Sequence, residues 1–259
     1  GVIFIYIPSM ERHTDASQVT VIVNADDRTR NLNKSLQSCI DQTHGNLQVL
    51  LVDHSSSPIH RDTVQQCSDD RISYLAIGDA SASQARNHAL VHANGEYVLF
   101  LSGDDEIHES WVAKALDRFS LSQFDAVQCA TVYERNNLTA DVHMPSDSLY
   151  GYYQRLLVKP TIPLNSMIVR RDICTRFPED KPLAGSWEFW ITTLKGRQVD
   201  VHPEYYGSII HLPHEDKNAE EAAQYQQELL QIMRTYYPDL RFSLRKLRQY
   251  FRIRRSCGR

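Results

Sequence analysis

YVLFLSGDDEIHESW, residues 97–111, is an apolar run that stops at two adjacent acids, Asp104 and Asp105. A buried strand ending this way delivers carboxylates to the rim of a sheet, where the loops of an α/β protein bind ligands. Working outward, VTVIVN (19–24) is apolar and β-branched and reads as another buried strand. Within 29–43, Leu32, Leu36, Cys39 and Ile40 recur at helical spacing. LQVLLVDHSSS (47–57) is a strand breaking into a polar loop at Asp53, and a helix is expected around 60–68. ISYLAI (72–77), a helix over 81–93, EYVLFL (96–101) and a helix over 110–119 continue the alternation. Such alternation predicts a mainly parallel, doubly wound α/β sheet with helices on both faces. The loops after Val23, Val52 and Leu101 then converge on one cleft.

The second half is less regular. Residues 124–134 and 165–173 read as strands, 186–196 as a helix, and 218–237 as a helix stopped by Pro238. The expected division is an N-terminal segment over 1–18, one α/β domain over 19–215, and C-terminal helices over 216–259. The chain has 259 residues, 42% hydrophobic and 23% charged, which suits that plan. GVIFIYIP, residues 1–8, is too short to span a bilayer, and no other apolar run is long enough. Five widely spaced cysteines without a CxxC pair point to reduced thiols and a cytoplasmic setting.

Charge is unevenly placed. Residues 241–259 hold eight Lys or Arg and no acid, leaving 20 bases against 32 acids elsewhere, a body near −12. Phe242, Leu244, Leu247, Tyr250, Phe251 and Ile253 interleave with those bases, so the tail reads as a basic amphipathic helix. Such a helix lies on an anionic membrane surface, or docks on the acidic body. No reader motif accompanies the charge, so nucleic acid is not an expected partner.

Each acid has a plain alternative. Asp104 caps a following helix as readily as it binds a ligand. Asp26, Asp27 and Asp53 suit turns, and His211 or His214 alone suits a structural role. Together, acids at the ends of several strands suit a divalent cation and a diphosphate, because carboxylate oxygens are ligands for Mg2+ or Mn2+.

VTVIVNADDRTRNLNKSLQSCIDQTHGNLQVLLVDHSSS (19–57), ASASQARNHALVHANGEYVLFLSGDDE (80–106) and GSWEFWITTLKGRQVDVHPE (185–204) resemble, in order, three segments of the family 2 glycosyltransferases. The resemblance spans about residues 19–215 and is most specific from A-R-N to D-D. It implies the GT-A fold and sugar transfer from a nucleotide-diphosphate sugar, a UDP-sugar being favoured, to a saccharide or lipid-linked acceptor in surface polysaccharide synthesis. It implies Mn2+ or Mg2+ at Asp104, with Asp105 and His211 beside it. Asn24, Asp53, His54, Arg86, Ser102 and Asp104 fall on nucleotide-contacting positions. Family members also act on lipid-linked acceptors at the cytoplasmic leaflet, which suits a peripheral position at the inner face of the membrane.

The departures are specific. Ser102 stands where the first acid of D-x-D is usual, and His54 replaces the acid that commonly reads uracil. Gly185–Ser186 stands where E-D is expected, the aspartate being the general base of inverting transfer. Serine has no pKa suited to that work. Glu188, Glu179, Asp180 and Glu215 are the acids near enough to substitute, Glu188 first. If 186–188 is extended, Glu188 points the same way as Ser186; on a helix it points away. The alternative function is a degenerate glycosyltransferase-like domain that binds a sugar, a nucleotide or a protein. A receiver-like signalling domain built on Asp26, Asp27 and Asp53 does not account for the later segments. Tyr150, Tyr152 and Tyr153 either stack on sugars or belong to the core.

Overall fold

A computed structural model of the chain describes residues 17–145, 152–212 and 219–236. The basic tail, Tyr150, His214 and Glu215 lie outside these residues. Strand β1 (Val19–Ala25) is buried along its whole length. It lies between β2 (Leu47–Asp53) and β4 (Tyr97–Ser102), parallel to both, with Val19 opposite Leu47 and Tyr97. β3 (Ile72–Ala76) pairs in parallel with β2. The three helices that return the chain between these strands are α1 (Leu32–Ile40), α2 (Arg61–Cys67) and α3 (Ala82–His92). Ser81 starts α3 with a reciprocal capping box to Gln84.

Apolar side chains alternate between the two faces of the sheet, as strand geometry requires. Ile22, Leu50, Val52, Val98 and Phe100 join one core with Ala85 and Ala89 of α3. Val21, Val23, Val49, Leu51, Leu99 and Leu101 join the other with Leu36 and Cys39 of α1. α4 (Trp111–Leu121) covers that second face through Trp111, Val112 and Ala115. The first core is closed by α6 (Gly185–Thr193) and α7 (Ala219–Tyr236). Trp187, Phe189 and Trp190 of α6 and Leu229, Ile232 and Met233 of α7 are buried there together. The helix beyond residue 216 therefore shares a core with the strands.

The sheet is parallel through β3-β2-β1-β4 and mixed beyond, in the order β3-β2-β1-β4-β8-β6-β9-β5, with β7 on β6. β8 (Met167–Arg170) runs antiparallel to β4 and β6 (Ala126–Arg135), and β9 (Val199–His211) runs parallel to β6. β8 is shorter than the strand expected over 165–173, because 3-10 turns at 164–166 and 171–173 flank it. Three elements had no expectation: β5 (Glu106–Ile107), the edge strand β7 (Leu138–His143) and α5 (Tyr152–Leu156). Nor was β9 foreseen. It contains Pro203, which removes a ladder donor, and the ladder skips from His202 to Tyr206 opposite Cys129 and Ala130. Among the described residues no helix is long and apolar enough to cross a membrane. Cys39, Cys67, Cys129 and Cys174 are free thiols.

Phe100 joins the sheet to its helical cover. Its ring meets Phe177, Phe189 and Trp190 edge-on, with centroids 5.0, 5.4 and 6.3 Å away. Replacing it with alanine leaves a cavity between β4 and α6, at an expected cost of about 3–5 kcal/mol. Urea unfolding of Phe100→Ala should show a lower midpoint with an unchanged slope.

Candidate active site

β1, β2 and β4 end level, Asn24 lying opposite Val52 and Ser102, so their loops share one edge. Asn24 O accepts a hydrogen bond from Gly103 N at 2.9 Å. A Cβ at Gly103 would lie 2.8 Å from Thr29 Cγ2 and 3.2 Å from Asn24 O. The chain passes between the two aligned acid positions, 102 and 104, only because residue 103 has no side chain.

Asp104 accepts from Arg30 N at 2.7 Å and Asn31 N at 2.8 Å, both through Oδ1. These are the amides just before α1, so the carboxylate neutralises the positive end of that helix. Its Oδ2 makes no hydrogen bond among the described residues. The helix Asp104 serves is α1, earlier in the chain, and not the following helix that a cap at this position suggested. Asp105 accepts from His211 N at 3.1 Å. Burial, with the charges of Asp104 and Glu106 added, pushes its carboxyl up to about 7 against the pull of that amide. The His211 ring faces two further acids: Nε2 is 2.6 Å from Glu106 Oε1, and Nδ1 is 3.7 Å from Glu134 Oε2. Asp104, Asp105 and His211 thus gather at one rim, but the imidazole is engaged by carboxylates. Among the described residues, no three His, Cys, Asp or Glu side chains are arranged to hold a metal ion by themselves.

At the end of β2, Asp53 organises its own loop. Its carboxylate accepts from Ser55 N (3.0 Å), His60 N (3.2 Å) and Tyr74 OH (2.6 Å). Burial works to raise its pKa, but the hydrogen bonds from Ser55, Tyr74 and His60 prevail and hold it below the usual carboxylate value. Asp53 is therefore turned into the protein, although its position suggested a nucleotide contact. Asp27 accepts from Ser56 N and Oγ, tying the β1 loop to the β2 loop. Asp26 accepts from Arg28 N, a turn role.

His54 is buried with Nδ1 2.8 Å from Ala80 O. A carbonyl only accepts, so Nδ1 carries a proton, and in the neutral ring Nε2 then presents a lone pair. Among the described residues that Nε2 has no partner, and neither have Asn24 Oδ1 at the end of β1 nor Arg86 Nε on α3. The Arg86 guanidinium lies over the Phe177 ring, 5.3 Å from its centroid, and makes no ion pair with a described carboxylate. Burial lowers its pKa to about 10, which leaves it charged at neutral pH.

The start of α6 corrects the expectation for Glu188. Residues 186–188 form the first turn of the helix, not an extended segment. Glu188 accordingly points away from Ser186. Its Oε2 lies 3.1 Å from Lys181 Nζ, and its Oε1 accepts from Tyr236 OH at 2.9 Å. Burial favours the neutral Lys181 amine, yet Asp180 and Glu188 hold its pKa above the ordinary value. Glu188 is a tie between α6 and α7. The missing acid at 185 has a steric cause: a Cβ there would lie 2.9 Å from Ser83 Oγ and 3.2 Å from Pro178 O. Glu179 accepts from Asn87 and Arg176, and Asp180 pairs with Lys181. Tyr152 and Tyr153 donate to Gln128 and Ile191 O and belong to the core. Ser55, Glu106 and Glu134 escaped the sequence reading. Only Glu106 carried a signal, its position next to the acid pair.

Comparison with known proteins agrees with this geometry. A family model described as "Glycosyl transferase family 2" matches residues 19–173. The chain is 34% identical over 100 residues to the E. coli UDP-Glc:alpha-D-GlcNAc-diphosphoundecaprenol beta-1,3-glucosyltransferase WfgD, covering 38% of each protein. It is 32% identical over 134 residues to the putative teichuronic acid biosynthesis glycosyltransferase TuaG of Bacillus subtilis, covering 51% of this chain and 50% of that one. These matched segments span half or less of the relatives' length. Among solved structures, S. aureus TarS 1-349 in complex with UDP-GlcNAc superposes with a TM-score of 0.60 at 17% identity, over 91% of this chain and 79% of that one. The mannosyltransferase PcManGT from Pyrobaculum calidifontis, in complex with GDP-Man and Mn2+, gives 0.62 at 18% identity, over 92% and 69%. The fold is the GT-A fold of these transferases.

Asp53 provides a test of the loop. Its lowered pKa means that its contribution is present above the unfolded-state pKa, about 3.9, and is lost as pH falls through the folded-state value. Asp53→Asn should cost about 1–3 kcal/mol at pH 7. The difference from wild type, followed by thermal melts between pH 7 and pH 2, should shrink below about pH 4.

Proposed function

The chain belongs to glycosyl transferase family 2, and on that premise we propose that it transfers a sugar from a nucleoside-diphosphate sugar, UDP-linked by preference, to a saccharide or lipid-linked acceptor with inversion, in surface polysaccharide synthesis. One observation carries the reading. Asn24 Oδ1, His54 Nε2 and Arg86 Nε are buried without partners among the described residues, and all three residues stand where the family contacts its nucleotide. Buried polar groups without partners are rare, and a ligand is one of the few reasons for them. His54 keeps the polarity of the acid it replaces. With Nδ1 donating to Ala80 O, Nε2 accepts, as a carboxylate would, from an imide N–H such as that of uracil. Arg86 supplies a fixed positive charge for the anionic part of the donor.

Mg2+ or Mn2+ fits the donor set. Asp104 and Asp105 present adjacent carboxylates, hard oxygen ligands of the kind these cations take one or two of before completing their shell with phosphate and water. When bound, the cation would neutralise charge on the departing diphosphate. Asp104 would hold it while fixing the start of α1. His211 would join only after leaving Glu106. Relatives that act on diphosphoundecaprenol-linked sugars support a lipid-linked acceptor, met at the inner face of the membrane by the basic segment 241–259. Co-sedimentation with vesicles containing anionic lipid should fall when 241–259 is deleted and with rising salt, while neutral vesicles should bind neither protein.

A second reading, a transferase-like domain that binds without turning over, is favoured by the start of α6. There Gly185 has no room for a side chain, Ser186 is no base, and Glu188 is held by Lys181 and Tyr236. Calorimetric titration with UDP, GDP and dTDP, with and without Mn2+, tests the donor site. UDP should bind with metal present, and Asp104→Ala and Arg86→Ala should each weaken it at least about tenfold, near the loss of one charge-assisted contact. Absence of binding by all three nucleotides would refute the donor site. Binding without release of UDP from UDP-sugars, across a panel of saccharide and polyprenyl acceptors, would favour the second reading.

A further inference from the structure

We infer that Glu228, on α7, is a positioning residue for the donor site: it holds the start of α6 against the start of α3 and so sets where the Arg86 guanidinium lies. The inference rests on the nucleotide-binding reading above and adds to it a residue from a part of the chain beyond the family match. Glu228 is buried, and its Oε2 accepts from Leu183 N at 3.0 Å and Ala184 N at 2.7 Å. Its Oε1 accepts from Gln224 Nε2 at 3.0 Å, one turn back on α7. No cation pairs with it among the described residues. Its charge faces the positive end of α6, which begins at the next residue, Gly185. No side chain on 184 or 185 performs this capping: Ala184 makes no side-chain cap, and Gly185 is kept bare by Ser83 Oγ and Pro178 O. A carboxylate from another helix therefore caps a helix whose own start has none.

The contact reaches Arg86 in two steps. Gly185 meets Ser83 on α3, and Arg86 lies three residues further along the same helix, on the same face. The segment leading into α6 also carries Phe177, the ring beneath the guanidinium. Asn87 clamps Phe177 through both backbone groups, donating to Phe177 O at 2.9 Å and accepting from Phe177 N at 2.8 Å. Arg86 has no acid to fix it among the described residues, so its place depends on this wall, and Glu228 is the charged group that holds the two amides before α6 on the wall's far side. Glu228 is not itself suited to accept a proton from an acceptor, because its oxygens are already occupied by three donors.

The test combines UDP titration with hydrogen exchange read by mass spectrometry on peptides covering 81–92 and 175–190. Glu228→Ala should weaken UDP binding roughly tenfold, within the coupling expected of residues in one network, and speed exchange in both peptides. Glu228→Gln keeps an acceptor oxygen for the two amides and should restore affinity to within about twofold of wild type. Faster exchange confined to 175–190, with wild-type UDP affinity, overturns the inference and leaves the donor site standing. If wild type binds no nucleotide, the donor reading fails on its own. Exchange in 81–92 then decides: faster in Glu228→Ala supports the positioning role, unchanged overturns it. Should Glu228→Ala not fold, Glu228→Asp, whose shorter arm cannot reach both amides without moving α7, replaces it under the same criteria.

Discussion

The level ending of three parallel strands is the constraint on which the cleft depends. β1 pairs with β2 and β4 from the same first residue, so Asn24, Val52 and Ser102 reach the edge side by side. Every site feature follows from that register. Gly103 turns across the end of β1, Asp104 reaches the amides before α1, and Asp27 crosses to Ser56. A slip of one residue in β1 would exchange its two apolar faces between the cores and carry Asn24 away from His54.

The acids at this edge divide their labour according to burial and hydrogen bonding rather than sequence spacing. Asp53 is saturated by donors and acts on its own loop. Asp104 spends one oxygen on a helix start and keeps the other clear. Asp105 is desolvated between two acids. Identical side chains at one sheet edge, two of them adjacent in sequence, thus have different surroundings, and Asp104 alone combines two amide donors on one oxygen with a second oxygen left clear among the described residues.

This explains what was legible in the sequence. Strands β1 to β4 could be read because each is a short apolar run bounded by turn residues, and both of their faces are covered. Asn24, His54 and Asp104 could be placed at or just past the strand ends because the apolar runs stop there. The second half resisted because β9 is broken by Pro203, β7 is an exposed edge strand and β5 has two residues. Glu188 was misplaced because its partners, Lys181 and Tyr236, lie on elements whose packing no local pattern reveals. Glu228 was silent for the same reason: an acid on an amphipathic helix gives no hint that it faces inward.

Phe100 has one more implication, which concerns inheritance. The family model's match ends at residue 173, yet Phe100 is covered by Phe177, Phe189 and Trp190, and that core extends to Leu229, Ile232 and Met233. The matched piece and the piece that shares one core are therefore different lengths of chain. Genetic exchange that grafted the matched piece onto a foreign C-terminal half would transplant the strand edge without its roof. Substitutions in α6 and α7 that face this core are constrained together with Phe100, although they lie beyond the matched piece.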